Sequence, residues 1–250
     1  MKLLLINPNT SLPMTEGIAA AAREVAAPGT EIVARCPGFG PQSIEGHFED
    51  AFGAAGVAEQ AMLAAGEGFD AAVIACFGDP GLDAAREALA GPVLGIAEAA
   101  FHAAAFLATG FSVVTTMTRT CVIAERLVQR YGFEHACRGI HGTDIPVLDL
   151  EETGSAALDT IVDECRRAVA EDRCGAIVLG CAGMADLVAE VQRTVGVPVI
   201  DGVAAAVAQV EALVRLGLGT SKHGDLAWPP AKTYTGYLAH MAPTGIGLAG

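Results

Sequence analysis

The chain repeats itself, and this limits its fold more than any other feature. Ala71-Ala72-Val73-Ile74-Ala75-Cys76 lines up with Ala176-Ile177-Val178-Leu179-Gly180-Cys181, 105 residues later. Gly91-Pro92-Val93-Leu94 then matches Val197-Pro198-Val199-Ile200 after one inserted residue, and upstream residues 3–7 match residues 111–115. Between these anchors, strand-like runs (3–7, 31–36, 71–76, 93–96) alternate with helix-like ones (13–26, 49–65, 80–90). Continuous apolar strands such as Ala-Ala-Val-Ile-Ala suit a parallel sheet covered on both faces. The expectation is an α/β fold of two pseudo-symmetric lobes, each a parallel sheet flanked by helices, with the active site in the cleft between them. The first lobe spans residues 1–97 and the second 98–202, and a helix over 203–218 with the tail is expected to return to the first.

Ligands of open parallel sheets bind beyond the carboxyl ends of the strands. Cys76 and Cys181 each end a strand, so the repeat sets two thiols on opposite walls of one cleft. Inverting a carbon centre needs one group to remove a proton from one face and another to deliver one to the opposite face, and two facing thiols meet that need. A free cysteine titrates near 8.5, and the positive end of a helix lowers that value. Both cysteines precede a helix start; Asp79 reads as an N-cap and Pro80 as a first helical residue, aiming free amides at a developing enolate oxygen. Asn9 near the end of the first strand, with Thr115 and Thr116 at the end of its counterpart, offers neutral donors and acceptors, or else caps turns. Ser43, Glu45 and His47 lie on a Gly- and Pro-rich segment, residues 37–47, that is either a solvated loop or a flap over the cleft.

Other chemistries find little support. Twenty-nine acidic against fifteen basic residues give a formal charge of -14, which repels phosphate backbones and anionic membrane surfaces, so neither a nucleic acid nor a membrane is expected as a partner. No Gly-x-Gly-x-x-Gly opens the first helix, and Gly219-Thr220-Ser221-Lys222 lacks the spacing of a phosphate-binding loop. His135, Cys137 and His141 fit no common zinc spacing, and no metal is expected. Cys36, Cys121, Cys137, Cys165 and Cys174 read as small buried hydrophobes. No signal-peptide core and no run of roughly 20 apolar residues is present, which with seven cysteines, an odd number, points to a reducing cytoplasmic address. With 52% hydrophobic residues, part of the apolar surface is expected to be covered in a homo-oligomer.

Ile6-Asn7-Pro8-Asn9-Thr10-Ser11, Ala75-Cys76-Phe77-Gly78-Asp79-Pro80-Gly81, Val114-Thr115-Thr116 and Leu179-Gly180-Cys181-Ala182-Gly183-Met184 together resemble the hydantoin racemase family of the aspartate/glutamate racemase superfamily. The resemblance runs from the first strand to about residue 225. Within it, Ser43-Ile44-Glu45-Gly46-His47-Phe48 and Thr220-Ser221-Lys222-His223-Gly224-Asp225 look closest to allantoin racemases. It implies a cofactor-independent enzyme with Cys76 and Cys181 as the two acid/base residues. It also implies a substrate site formed by Asn9, Ser43, Thr115, Thr116 and the loops at Phe77-Gly78 and Ala182-Gly183. The substrate so implied is a small neutral cyclic ureide, allantoin or a 5-substituted hydantoin. Amino-acid racemases usually carry Asn-Thr after the first cysteine and Thr-His after the second. Here Phe77-Gly78 and Ala182-Gly183 stand instead. A maleate cis-trans isomerase, an arylmalonate-type decarboxylase (which keeps only the second cysteine) and a non-catalytic two-lobed binding protein are the competing readings.

Overall fold

A computed structural model of the chain describes residues 1–152 and 155–243. Its first strand, β1 (Lys2–Ile6), is buried along nearly all its length and pairs in parallel with both β2 (Glu31–Arg35) and β3 (Ala71–Ile74). The next strand, β4 (Val93–Gly95), extends the sheet beyond β3, giving the order β2-β1-β3-β4. Helices α1 (Leu12–Val25), α2 (His47–Ala64) and α3 (Leu82–Ala88) make the crossovers, and α4 (Ile96–Leu107) leads out of β4 to the second sheet. That sheet repeats the plan. Strands β5 (Phe111–Thr115), β6 (Cys137–Gly142), β7 (Ala176–Leu179) and β8 (Val199–Asp201) run parallel in the order β6-β5-β7-β8. Helix α5 (Cys121–Arg130), the short α6 (Asp149–Glu152), α7 (Ser155–Asp172) and α8 (Val188–Val195) connect them, and α9 (Gly202–Arg215) follows β8. The cysteine-bearing strands β3 and β7 hold the same place in each sheet.

Because side chains alternate across a strand, each sheet feeds two cores. Leu4, Ile6, Ala72 and Ile74 face Val57 and Ala61 of α2 and Leu82 and Ala85 of α3. Leu3, Leu5, Ala71 and Val73 face the other way, into a cluster that also takes Phe111, Val113, Ala176 and Val178 of the second sheet. Phe101 of α4 and Val203, Val207 and Val210 of α9 fill the space between, so the two sheets share one interior. Val114, Ile177 and Leu179 form a third cluster with Ile161 and Cys165 of α7 and Val191 of α8. Beyond α9, the chain passes back along the first sheet's end. Thr220 donates from its amide to the Ala90 carbonyl (3.0 Å) and from its hydroxyl to that of Gly91 (2.8 Å), and Lys222 Nζ donates to the Glu87 carbonyl (3.0 Å).

Two helices begin on side-chain caps. Ser11 Oγ accepts the Met14 amide at the start of α1, with Pro13 in the first turn, and Asp201 accepts the amides of Val203 and Ala204 at the start of α9. Helix α3 is shorter than the expected 80–90, since Asp79 and Gly81 both adopt positive φ (45° and 68°) and hold the chain out of the helix until Leu82. Among the described residues, no helix is long and apolar enough to cross a membrane.

Candidate active site

After β3 and after β7 the chain makes the same turn. The Asp79 amide donates to the Cys76 carbonyl (3.0 Å) and the Met184 amide to the Cys181 carbonyl (3.1 Å). Within these turns the Gly78 N–H points at the sulfur of Cys76 and the Gly183 N–H at that of Cys181. Each half thus delivers one thiol held by the backbone amide two residues on. Both thiols line one cavity of about 60 Å³. Its wall includes Asn9, Cys76, Phe77, Gly78, Thr115, Thr116, Cys181 and Ala182, so the structure brings together eight of the ten residues expected there. Ser43 does not line it; its neighbour Ile44 does. Gly183 does not line it either; a Cβ there would meet Leu150 at 3.3 Å and the Cys181 sulfur at 3.7 Å, and the residue takes part through its amide.

The turn chemistry differs from expectation at Asp79. Its carboxylate is buried and reaches away from α3 to the first turn of α4, accepting the amides of Ala97 (3.1 Å) and Glu98 (3.0 Å). The Tyr131 hydroxyl, from the end of α5, donates to it as well (2.8 Å). Asp79 therefore caps a helix 17 residues further on rather than its own. The approach is tight: a Cβ on Gly95 would fall 2.1 Å from the Asp79 carboxyl carbon.

The expected lowering of the thiol pKa is not found either. Burial pushes Cys76 up to about 12, against the Gly78 amide, with negative charge at Cys181, Asp50 and Asp79 adding to the rise. Burial pushes Cys181 up to about 11, opposed by the Gly183 amide and reinforced by Glu45 and Asp201. Neither cysteine directly precedes a helix: α3 starts six residues after Cys76, and a 3-10 segment, Ala182–Leu187, separates Cys181 from α8. Desolvation then outweighs one amide hydrogen bond.

The polar residues around the thiols are fixed by their own networks. Asn9 Oδ1 accepts from Asn7 Nδ2 (2.8 Å) and the Ser11 amide (2.9 Å), which sets the amide's orientation and leaves Nδ2, in contact with Met14 Sδ at 3.1 Å, as the donor end. The Thr115 hydroxyl gives its proton to the Gly180 carbonyl (2.9 Å), so it meets a ligand as an acceptor. The Thr116 carbonyl accepts from the Asp144 amide and the Thr143 hydroxyl, joining the end of β5 to the loop after β6. The 37–46 segment crosses between the halves: Glu45 Oε1 accepts the Val147 amide (3.0 Å), and Ile44 and Val147 both line the cavity.

Several lining residues have no signal in the motifs: Met14, Ile44, Asp50, Thr120, Ile123, Ala124 and Val147. Among the described residues, no lysine, arginine or histidine lines the cavity, and Asp50 is its one carboxylate. His141, from the cluster considered for metal binding, lies elsewhere, with Glu164 on Nδ1 (2.9 Å) and Asp172 on Nε2 (2.7 Å).

Known proteins resemble this chain along nearly all its length. Residues 3–210 match the family model described as Asp/Glu/hydantoin racemase. A hydantoin racemase from Pseudomonas sp. (strain NS671) is 46% identical over 241 residues, covering 96% of this chain and 97% of its own. Among solved structures, an allantoin racemase from Klebsiella pneumoniae is 56% identical with a TM-score of 0.94, covering 97% of this chain and 99% of that one. The allantoin racemase of Pseudomonas fluorescens is 43% identical with a TM-score of 0.91, over 94% and 100% of the two chains.

Proposed function

This chain belongs to the Asp/Glu/hydantoin racemase family and is a racemase, and we propose that it racemises a neutral cyclic ureide, allantoin or a 5-substituted hydantoin, by proton transfer between Cys76 and Cys181. The observation that carries this reading is the cavity itself, which sets two amide-held thiols among groups that are neutral apart from Asp50 and, among the described residues, has no basic side chain in its wall. A dicarboxylate such as maleate, or the free carboxylate of an amino acid, calls for cationic partners. A flat ureide needs amide-type hydrogen bonds instead.

In this scheme one cysteine, as thiolate, takes the proton from the asymmetric carbon on its side, and the electron pair of the broken C–H bond moves onto the neighbouring carbonyl oxygen as an enolate. The opposite cysteine, as thiol, then delivers its proton to the other face. The product leaves with inverted configuration and the two sulfurs have exchanged protonation states. Asn9 Nδ2 is assigned to the enolate oxygen, while the Gly78 and Gly183 amides serve the sulfurs rather than the oxyanion. The scheme also places the protein in a reducing compartment such as the cytoplasm, because all seven cysteines are free and two must stay thiols.

Single-serine variants in deuterium oxide test the scheme. Cys76→Ser should leave Cys181 able to lift the proton it touches, so one enantiomer gains deuterium at the asymmetric carbon without inverting. Cys181→Ser should do the same for the other enantiomer, and the double variant should do neither. Equal exchange of both enantiomers by each single variant, or racemisation at the wild-type rate, would overturn the two-thiol mechanism.

A further inference from the structure

Asp50 is the group in the cavity wall that the proton-transfer scheme leaves unused. It sits in the first turn of α2, and its Oδ1 is the only shielded side-chain oxygen or nitrogen among the described residues without a hydrogen-bond partner. A buried carboxylate oxygen with no donor is costly, so its retention in a ligand cavity calls for a partner that arrives with the ligand. Its position is specific. A Cβ on Gly78 would stand 3.0 Å from Oδ1, so the oxygen meets the loop whose amide holds the Cys76 sulfur, and glycine leaves that approach open. Its charge is felt at Cys76. His47 lies three residues back on the same helix, outside the cavity wall.

We propose that Asp50 determines specificity by accepting a hydrogen bond from a substrate N–H bonded directly to the reacting carbon. This rests on the cyclic-ureide reading above. An ionised carboxylate has acceptors only, so a neutral N–H satisfies it and a substrate carboxylate is repelled by it. The reacting carbon must lie against Cys76, and Oδ1 lies beside the loop that holds that sulfur, so the donor it can reach is one attached to that carbon. In a 5-substituted hydantoin this is N1–H; in allantoin the ureido N–H qualifies as well. N3–H lies between the two ring carbonyls on the far side and is not the group read. The contact also turns the ring so that its carbonyl edge faces away from Asp50, keeping the developing enolate from a like charge.

Calorimetric titration with three achiral probes, hydantoin, 1-methylhydantoin and 3-methylhydantoin, tests this on the intact protein. The wild type should bind hydantoin and its 3-methyl derivative alike and the 1-methyl derivative roughly tenfold to a hundredfold more weakly, the range for one hydrogen bond to a charged group. Asp50→Ala should bring all three within about threefold of one another. Asp50→Asn, which keeps the shape and one acceptor oxygen, should fall between, and it decides the matter if the alanine variant does not fold by circular dichroism. Equal binding of hydantoin and 1-methylhydantoin by the wild type, or an unchanged preference in the folded variants, would overturn the role of Asp50. The probes need not be turned over. A wild type that shows the 1-methyl discrimination but racemises neither allantoin nor 5-substituted hydantoins would overturn the catalytic reading alone, and one that binds none of the probes would overturn both.

Discussion

If the proton passes between Cys76 and Cys181 as proposed, raising the pH should accelerate this enzyme steeply, because burial holds both thiol protons far above neutrality. Burial pushes Cys76 up to about 12 and Cys181 up to about 11, so both rest as thiols at neutral pH. A thiol at the lower value is ionised in about one molecule per thousand at pH 8, and in about ten times fewer at pH 7. Forming the thiolate at pH 8 then takes about 4 kcal/mol of the activation barrier, at about 1.4 kcal/mol per pH unit. Since kcat/KM follows ionisations of the free enzyme, it should climb nearly tenfold per pH unit from about pH 7 to 10 and level off only near the Cys181 value. Initial rates on a single enantiomer, followed by circular dichroism with spontaneous racemisation measured alongside, give the profile. Alkylation by iodoacetamide, read at Cys181 by mass spectrometry, should rise with the same slope without any substrate. If both curves are flat above pH 8, the glycine amides outweigh burial and the reasoning fails.

Glu45→Gln keeps the acceptor for the Val147 amide but removes a negative charge that raises Cys181, so its rate profile should move to lower pH and its rate at pH 8 should rise several-fold; an unmoved profile would remove Glu45 from the electrostatics of the site. Asp79 is held by burial at about 6, above the ordinary carboxylate value of about 3.9, so the folded state binds that proton more tightly than the unfolded chain. Its contribution to stability is then greatest below about pH 4 and is lost as pH rises through 6. Stability of the wild type relative to Asp79→Asn, from urea unfolding, should fall by about 2 kcal/mol between pH 4 and 7; a flat difference would show that the three hydrogen bonds to Asp79 cancel its burial.

The architecture was legible because fully buried parallel strands leave little choice of residue. Ala71–Ile74 and Ala176–Leu179 are apolar at every position, so the two copies stayed aligned and the cysteines at their ends could be paired. The thiols, the strand-end threonines and Asn9 followed from that register. The electrostatics of the site did not follow, because they depend on contacts far apart in sequence. Asp79 followed by Pro80 has the local signature of an N-cap, yet its partners are Ala97, Glu98 and Tyr131. Asp50, beside Glu49 in the first turn of α2, looks like an ordinary acidic residue favoured by the helix dipole. Only packing against the Gly78 loop shows that one of its oxygens is shielded. Ser43 lies one residue before Ile44, the side chain that reaches the cavity, and a loop carries no periodicity that sets which of the two faces it.

The interior shared by the two sheets has a consequence for how relatives of this protein can diverge. Phe101 stacks on Phe111 of β5 at 5.4 Å between ring centroids and meets the edge of Phe77, the residue after Cys76, at 5.7 Å. The loop that carries Cys76 is thus packed through Phe101 against the second sheet, in a medium that compresses little. A change of volume at Phe101 would be felt in both lobes. Variation is easier at the 37–46 crossing and at α2 behind it, which lie outside that aromatic cluster.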